Sequence, residues 1–167
     1  LTRNNIEKGH TYKSDDAVVK LRIIHAKNQN KEWVEIPDFA YNNVNFNCAH
    51  PSLSPDGNRL YFSSDMPGGF GGMDLYVCKK DSGNWSKPKN LGNEINTAGN
   101  DLFPYLHDDG TFLFSSNGRD GLGGLDIYNC KINDSLITEI DNMGSPINSS
   151  YDDFGIVFDN NTSYGYF

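Results

Sequence analysis

Two aspartates, Asp74 and Asp126, have the most regular surroundings of any polar residue in this chain. They lie 52 positions apart, and each follows two glycines and one apolar residue (Gly71, Gly72 and Met73; Gly123, Gly124 and Leu125). A glycine pair permits positive φ and a close backbone approach, so the carboxylate after it can accept loop N–H bonds and hold a hairpin. Metal binding or catalysis would require converging partners, and none is spaced for it. The pattern therefore predicts a structural role for both aspartates and both glycine pairs.

The glycine-rich loops before these aspartates invite comparison with a phosphate cradle. Such a cradle needs a helix N-terminus and usually a Lys-Ser/Thr pair after the glycines. A strand pattern follows both loops instead, which favours a hairpin. The loop tips differ, because Phe70 aligns with Leu122 and Pro67 aligns with Arg119. Exposed side chains of these types at loop tips predict partner contacts at Phe70, Arg119 and Leu122.

The other residues able to carry chemistry form no catalytic or metal-binding pattern. The sequence has no His-Glu-x-x-His, no Gly-x-Ser-x-Gly and no Cys-x-x-Cys. Cys78 and Cys130 lie 52 positions apart, with Ala26 at the matching earlier place, which predicts a small buried site. We expect no disulfide between them, and the sequence leaves open whether Cys48 is a free thiol. The sequence predicts no enzyme activity, no cofactor and no metal.

Composition and charge narrow the function classes further. The chain has 167 residues and a net charge of −8, which suits one domain and leaves no basic stripe for nucleic acid. No apolar run approaches the length of about 20 residues that spans a bilayer. Abundant Gly, Asn, Asp and aromatic residues favour turns and strands over helices. Because the sequence begins with Leu1, we expect a preceding segment in the parent chain.

The sequence repeats itself every 52 residues. Segment 59–64 returns as 111–116, and segment 90–92 returns as 142–144. The same offset predicts that one position is shared by Trp33, Trp85 and Ile137. A second shared position is predicted for Leu1, Phe62, Phe114 and Phe167. Both positions are expected to be largely buried.

Each repeat contains the pattern of four short strands. In the best-defined repeat these cover 103–106, 112–116, 125–130 and 135–140, and residues 21–27 align with the third strand of the next repeat. Four short strands joined by Gly, Asn and Asp turns are typical of a propeller blade. The predicted fold is all-β, with repeat units at about 1–48, 49–100 and 101–152 and another starting at 153.

The chain contains too few repeats to form a complete propeller. A propeller has about four to eight blades, whereas 167 residues hold about three units of 52. Residues 1–4 match 114–117 if the loop that follows is nine residues longer, and residues 164–167 match 111–114 at an offset of 53. We expect about three blades of a larger propeller. The alternative, an open stack, would expose apolar faces and oligomerise.

Three stretches carry a resemblance to a known family. Residues 51–64, with their Ser-Pro-Asp-Gly turn, resemble the TolB-type, WD-like propeller repeat. Residues 67–76 and 90–97 narrow the likeness to propellers of OmpA-family envelope proteins of Bacteroidetes. In that family the propeller often lies between a tetratricopeptide segment and a peptidoglycan-binding domain, and one member type serves type IX secretion and gliding. The resemblance covers residues 49–167 well, and the first 48 residues mainly in register.

The resemblance implies a non-catalytic scaffold in the periplasm. It implies other envelope proteins as partners, in an outer-membrane-associated assembly, with peptidoglycan reached only through a domain outside this segment. No nucleic acid, membrane insertion or cofactor is expected. Two alternatives stay open: a propeller domain accessory to a periplasmic peptidase or glycosidase, and a carbohydrate-binding module.

Overall fold

The structure, a computed structural model, describes residues 1–7, 10–36, 39–132, 137–158 and 164–167. Its fold is all-β, with 44% strand, no helix in the described part, and a sheet that curls into half a barrel. The all-β prediction is therefore confirmed. The abundant turn formers explain this, since they interrupt the chain before any helix could complete several turns.

Seventeen short strands follow one another along the described chain. The first six are β1 (Thr2–Asn4), β2 (Ile6–Glu7), β3 (His10–Thr11), β4 (Leu21–Ile23), β5 (Ala26–Gln29) and β6 (Glu32–Glu35). The next five are β7 (Cys48–Leu53), β8 (Arg59–Ser64), β9 (Asp74–Asp81), β10 (Asn84–Trp85) and β11 (Lys89–Asn90). The last six are β12 (Asp101–Leu106), β13 (Thr111–Ser116), β14 (Asp126–Lys131), β15 (Asp141–Asn142), β16 (Val157–Phe158) and β17 (Gly165–Tyr166).

Two antiparallel sheets repeat the same strand order. In the first, β7, β8 and β9 lie side by side, and β10 and β11 both pair with the outer edge of β9. In the second, the order is β12, β13, β14 and β15. Phe62 pairs with Tyr76 as Phe114 pairs with Tyr128, so the 52-residue repeat of the sequence is also a repeat of register.

The fourth strand of the second sheet differs from the prediction of 135–140. The strand is Asp141–Asn142, preceded by an isolated bridge between Ile132 and Ile137, while residues 135 and 136 lie outside the described ranges. The first sheet is divided in the same way, into β10 and β11. Pro88 lies in that gap, and because proline has no N–H to donate, it interrupts pairing along the edge.

The strand predicted over residues 21–27 is divided as well, into β4 and β5. Thr2 on β1 pairs with Ile23 on β4, as Ser115 pairs with Ile127 in the second sheet. This register confirms the match of residues 1–4 with 114–117 and its longer following loop, which carries the β2–β3 hairpin.

At the other end of the chain, β16 and β17 continue the repeat. Val157 pairs with Tyr166, as Tyr105 pairs with Leu113 in the second sheet. The predicted offset of 53 for residues 164–167 is therefore confirmed. The pairs β1–β4, β5–β6 and β16–β17 are each two-stranded in the described chain.

Burial at the shared core position depends on the neighbouring strands. Phe62 and Phe114 are fully buried, as predicted. The same prediction is wrong for Leu1, which is 82% exposed, and for Phe167, which is 60% exposed. Phe62 and Phe114 lie on strands with a neighbour on each side. Leu1 and Phe167 each adjoin a strand that has only one hydrogen-bonded neighbour in the described chain.

The burial predicted for the position shared by Trp33, Trp85 and Ile137 is also only partly correct. Trp33 pairs with Asn28, and Trp85 pairs with Lys80, so the two residues occupy equivalent places, and the bridge at Ile137 adds the third. Trp85 and Ile137 are half-buried against the core, but Trp33 is 74% exposed. The expectation of burial is wrong for Trp33, because the β5–β6 hairpin has no further described strand beside it.

Candidate functional site

The two glycine loops, residues 65–73 and 117–125, each present an apolar side chain to solvent. Phe70 is 51% exposed in the first loop, and Leu122 is 55% exposed in the second. The two residues lie at equivalent positions of the two sheets. The structure thus places two of the three predicted contact residues at exposed loop tips.

The aspartate that follows each loop holds its tip. Asp74 Oδ2 accepts the backbone N–H of Phe70 at 2.7 Å, and Asp74 Oδ1 accepts that of Gly71 at 3.3 Å. Asp126 Oδ2 accepts the N–H groups of Leu122 and Gly123, both at 3.0 Å. Both aspartates are buried. These are the loop bonds expected from the sequence, and each fixes the backbone of the exposed residue itself.

Two asparagine side chains, linked by hydrogen bonds, hold the carboxylate of Asp74 in place. Asn90 Nδ2 donates to Asp74 Oδ2 at 2.7 Å, and Asn90 Oδ1 accepts from Asn96 Nδ2 at 2.8 Å. Asn96 also accepts the N–H of Leu75 and donates to its carbonyl. Because Asp74 and Asn96 are buried, Asn90 is half-buried and the three side chains are hydrogen-bonded to one another, the network stiffens the base of the loop.

The second sheet repeats part of this arrangement. Asn148 accepts the N–H of Ile127, donates to its carbonyl, and donates to Asn142 Oδ1 at 2.7 Å. Asn42 makes the corresponding pair of bonds to Ile23 in the first repeat, at 2.9 and 2.8 Å. This use of an asparagine to close each repeat explains part of the abundance of that residue.

The glycine pairs are needed for close packing and not for positive φ. None of Gly71, Gly72, Gly123 and Gly124 lies in the left-handed region. A Cβ at Gly71 would collide with the backbone of residues 97–99, and one at Gly123 would collide with the carbonyl of Tyr151. Of the two properties that a glycine pair permits, these loops therefore use close backbone approach and not positive φ.

Arg119 is not an exposed tip residue. Its Nη2 donates to the carbonyls of Glu94 at 2.6 Å and Ile95 at 2.9 Å, both in the preceding repeat. The guanidinium also lies over the rings of Phe114 and Tyr128, 5.7 and 5.9 Å from their centroids. Arg119 thus joins the second sheet to the segment between β11 and β12, and this internal contact replaces the partner contact expected from the sequence.

A row of three stacked rings was not foreseen from the sequence. The ring centroids of His50 and Phe103 lie 3.8 Å apart, and those of Phe103 and Phe154 lie 4.9 Å apart. His50 lies on β7 and Phe103 on β12, the first strands of the two sheets. The row therefore runs from one repeat to the next.

Two residues of the stack lie where the backbone has positive φ, and this conformation recurs at equivalent places of the repeats. His50 and Phe103 have φ of 50° and 51°, beside register shifts in their strands, and Gly155 has φ of 78° at the next equivalent place. Positive φ is costly for bulky residues and is found where surroundings enforce it. The available signal was a His-Pro and a Phe-Pro dipeptide at matching places, but a residue before proline is normally extended.

His50 is a neutral member of this stack. Desolvation lowers the pKa of its imidazole to about 4. Its Nδ1 lies 3.3 Å from Ser63 Oγ, and its backbone N–H donates to Thr2 Oγ1 at 2.8 Å. Among the described residues, no carboxylate is hydrogen-bonded to the His50 imidazole, so the third member of a nucleophilic triad is not present there.

The cysteines are buried thiols. Burial raises the pKa of Cys78 to about 12 and that of Cys130 to about 11, which keeps both protonated and unreactive. Cys48 is a buried free thiol. Cys48 pairs with Ser64 as Asp101 pairs with Ser116, so Cys48 and Asp101 occupy equivalent places in the two sheets. In the described ranges, no three His, Cys, Asp or Glu side chains group around a possible metal position.

No known protein family, curated protein or solved structure matches the chain. Within the part of the chain that the structure describes, no helix is long and apolar enough to cross a membrane.

Proposed function

We propose that this chain is part of a β-propeller that binds other proteins without catalysing a reaction. The single observation that carries the proposal is the pair of exposed apolar tips, Phe70 and Leu122, each held through its own backbone N–H by a buried aspartate. Exposed apolar side chains contribute to binding when a partner covers them. A fixed backbone lowers the entropy lost when that partner binds.

The propeller in this proposal has four-stranded blades, of which the chain supplies about three. The two sheets with the same strand order and the same register support it. Arg119 and the stack of His50, Phe103 and Phe154 support it too, because both connect one repeat to the next. Neighbouring blades of a propeller are packed in this side-by-side manner.

The proposed setting is the periplasm, in an assembly associated with the outer membrane. The support is the resemblance of residues 49–167 to TolB-like propellers of OmpA-family envelope proteins, including the type that serves type IX secretion and gliding. Peptidoglycan would then be reached only through a domain outside this segment, and the partners would be other envelope proteins.

Substitution of both tips tests the binding proposal. Purified outer-membrane proteins of a gliding Bacteroidetes bacterium are the probe, applied to the immobilised chain and to the double variant Phe70→Ser, Leu122→Ser. The matched control is Leu53→Ser, which removes a side chain of similar exposure on β7. The proposal requires a protein retained by the wild type and by Leu53→Ser and lost from the double variant. Equal retention by all three would refute it.

A second experiment distinguishes the protein-binding proposal from the two alternatives, an accessory domain of a hydrolase and a carbohydrate-binding module. Peptide and glycan substrates are incubated with the chain, and the glycans are also assayed for simple binding. Turnover that a propeller substitution abolishes would contradict a non-catalytic role. Glycan binding without any retained protein would favour a carbohydrate-binding module.

A further inference from the structure

The net negative charge of the chain lies in its second half. Residues 1–89 contain 12 Lys or Arg and 10 Asp or Glu, whereas residues 90–167 contain 2 Lys or Arg and 12 Asp or Glu. The two parts therefore carry charges of +2 and −10, which together give −8. An acidic surface attracts partners of positive charge and raises the rate at which they bind.

The two basic residues of the acidic half are engaged in internal contacts. Arg119 donates to the carbonyls of Glu94 and Ile95, as described above. Lys131 forms an ion pair with Asp109, with Nζ 3.0 Å from Oδ2. The other carboxylates of this half therefore do not have these two side chains as direct ion-pair partners.

The second glycine loop, residues 117–125, packs on the segment that leads into the next repeat. A Cβ at Gly123 would collide with the backbone carbonyls of Ser149 and Tyr151. Tyr151 itself is 79% exposed, and its backbone N–H donates to Ser149 Oγ at 3.2 Å. A second exposed apolar side chain, not singled out by the sequence analysis, therefore lies on a segment that touches the residue after Leu122.

An exposed carboxylate accompanies each of these two apolar side chains. Asp120 lies two residues before Leu122, and Asp152 follows Tyr151 directly. The hydroxyl of Tyr128 donates to the carbonyl of Asp120 at 2.9 Å, which fixes the backbone there. Neither carboxylate forms an ion pair with another residue of the described ranges. We call the set of Asp120, Leu122, Tyr151 and Asp152 the acidic patch.

The first glycine loop shows that the fold does not require the charges or the tyrosine of the acidic patch. At the four equivalent places, 52 residues earlier, it has Gly68, Phe70, Gly99 and Asn100. Asn100 Oδ1 accepts the backbone N–H of Met73 at 3.0 Å, as Asp152 Oδ1 accepts that of Leu125 at 2.8 Å. A neutral amide thus makes the same structural bond as the carboxylate.

We infer that the acidic patch binds a cationic segment of a partner protein, in which an arginine or lysine lies next to an apolar side chain. The apolar side chain covers Leu122 and Tyr151, and the cation pairs with the carboxylate of Asp120 or Asp152. The tyrosine ring adds a face that attracts cations. The inference rests on the proposed protein-binding function, to which it adds the charge of the partner.

Binding of labelled synthetic peptides, measured by fluorescence anisotropy, tests the charge of the partner. In these probes, Leu-Arg, Leu-Ser or Leu-Glu pairs are separated by Gly-Ser linkers. We expect the chain to bind the Leu-Arg peptide about tenfold more tightly than the Leu-Ser peptide, and the Leu-Glu peptide least. An increase from about 50 to about 500 mM NaCl should weaken the Leu-Arg complex several-fold, because salt screens exposed charges.

Two double variants with the same net charge show whether the acidic patch is the binding site. Asp120→Asn with Asp152→Asn removes both charges of the patch and keeps the shapes of the side chains. The control, Asp81→Asn with Asp108→Asn, removes two exposed charges elsewhere. We expect the first variant to bind the Leu-Arg peptide about fivefold more weakly and the control to change affinity less than about twofold. Equal losses would overturn the inference, because overall charge would then explain the attraction.

Single substitutions of the apolar residues separate this inference from the function on which it rests. Leu122→Ser and Tyr151→Ser should both weaken binding of the Leu-Arg peptide, whereas Tyr12→Ser, at an exposed tyrosine of the first repeat, should not. Circular dichroism verifies the fold of each variant. Equal affinity for the Leu-Arg and Leu-Glu peptides, lost in Leu122→Ser, would overturn the inference and leave the protein-binding proposal in place. Binding unaffected by Leu122→Ser would contradict both, and absence of binding by every peptide would overturn the inference alone.

Discussion

Asp74 and Phe70 are joined by a hydrogen bond of 2.7 Å from the backbone N–H of Phe70 to the Oδ2 atom of Asp74. The carboxylate is fully buried, while the phenyl group four residues earlier faces solvent. Asp126 and Leu122 repeat this relationship in the second sheet. A buried acceptor therefore determines the position of an exposed apolar group, twice and in the same way.

Removal of the carboxylate at Asp74 should destabilise the fold more than removal at Asp126. Asp74 accepts bonds from Phe70, Gly71 and Asn90, whereas Asp126 accepts two loop N–H bonds. Hydrogen bonds to a charged group contribute about 1.5–3 kcal/mol each, and the variant leaves donors unpaired. We expect Asp74→Ala to cost about 3–4 kcal/mol in urea unfolding.

The control for this measurement is Asp81→Ala, at the exposed end of β9. A surface substitution of that kind costs less than about 0.5 kcal/mol. If Asp74→Ala were equally mild, the carboxylate would not be holding the loop.

Truncation of the two tryptophans should give unequal losses of stability. Trp85 packs against a buried cluster and lies under the ammonium group of Lys80, whereas Trp33 is mostly exposed. Trp85→Ala is expected to cost about 2–3 kcal/mol, below the 3–5 of a fully buried aromatic, and Trp33→Ala less than about 1 kcal/mol. Thermal and urea unfolding of the two variants provide the comparison. Equal losses would contradict the different burial of the two positions.

Arg119 should stabilise the contact between the second sheet and the segment that precedes it. Arg119→Met keeps the aliphatic stem but removes the donors to the carbonyls of Glu94 and Ile95, so we expect a loss of about 1–3 kcal/mol. Arg3→Met is the control, because Arg3 makes an exposed ion pair with Glu35 worth at most about 1 kcal/mol. A loss at Arg119 no greater than at Arg3 would show that the guanidinium does not stabilise this contact.

His50 should make the fold sensitive to acid. Its folded pKa of about 4 lies below the ordinary value of 6.5, so the folded state favours the neutral imidazole. The stability from this group is complete above pH 6.5 and falls as the pH drops from 6.5 towards 4. His50→Phe introduces the residue found at the equivalent Phe103 and removes the titration. Its melting temperature should therefore fall less than that of the wild type between pH 7 and pH 4.5; an identical fall would contradict the role of His50.

The sequence predicts register well because register follows from the repeat itself. Trp33, Trp85 and Ile137 take equivalent places, as their spacing indicates. Burial at those places could not be predicted, because it depends on whether another strand lies alongside. Arg119 was misplaced for a similar reason, since its acceptors belong to the preceding repeat. The ring stack was missed because His50 and Phe103 adopt a backbone conformation that a following proline normally disfavours.

Photo-cross-linking from the loop tips tests the partner-binding claim most directly. A benzophenone amino acid is placed at position 70, at 122 or, as the control, at 53 in the parent protein, and adducts are identified in cells of the source organism. We predict one and the same protein partner from positions 70 and 122, and none from 53. No adduct at either tip, or the same adducts from all three positions, would contradict the account.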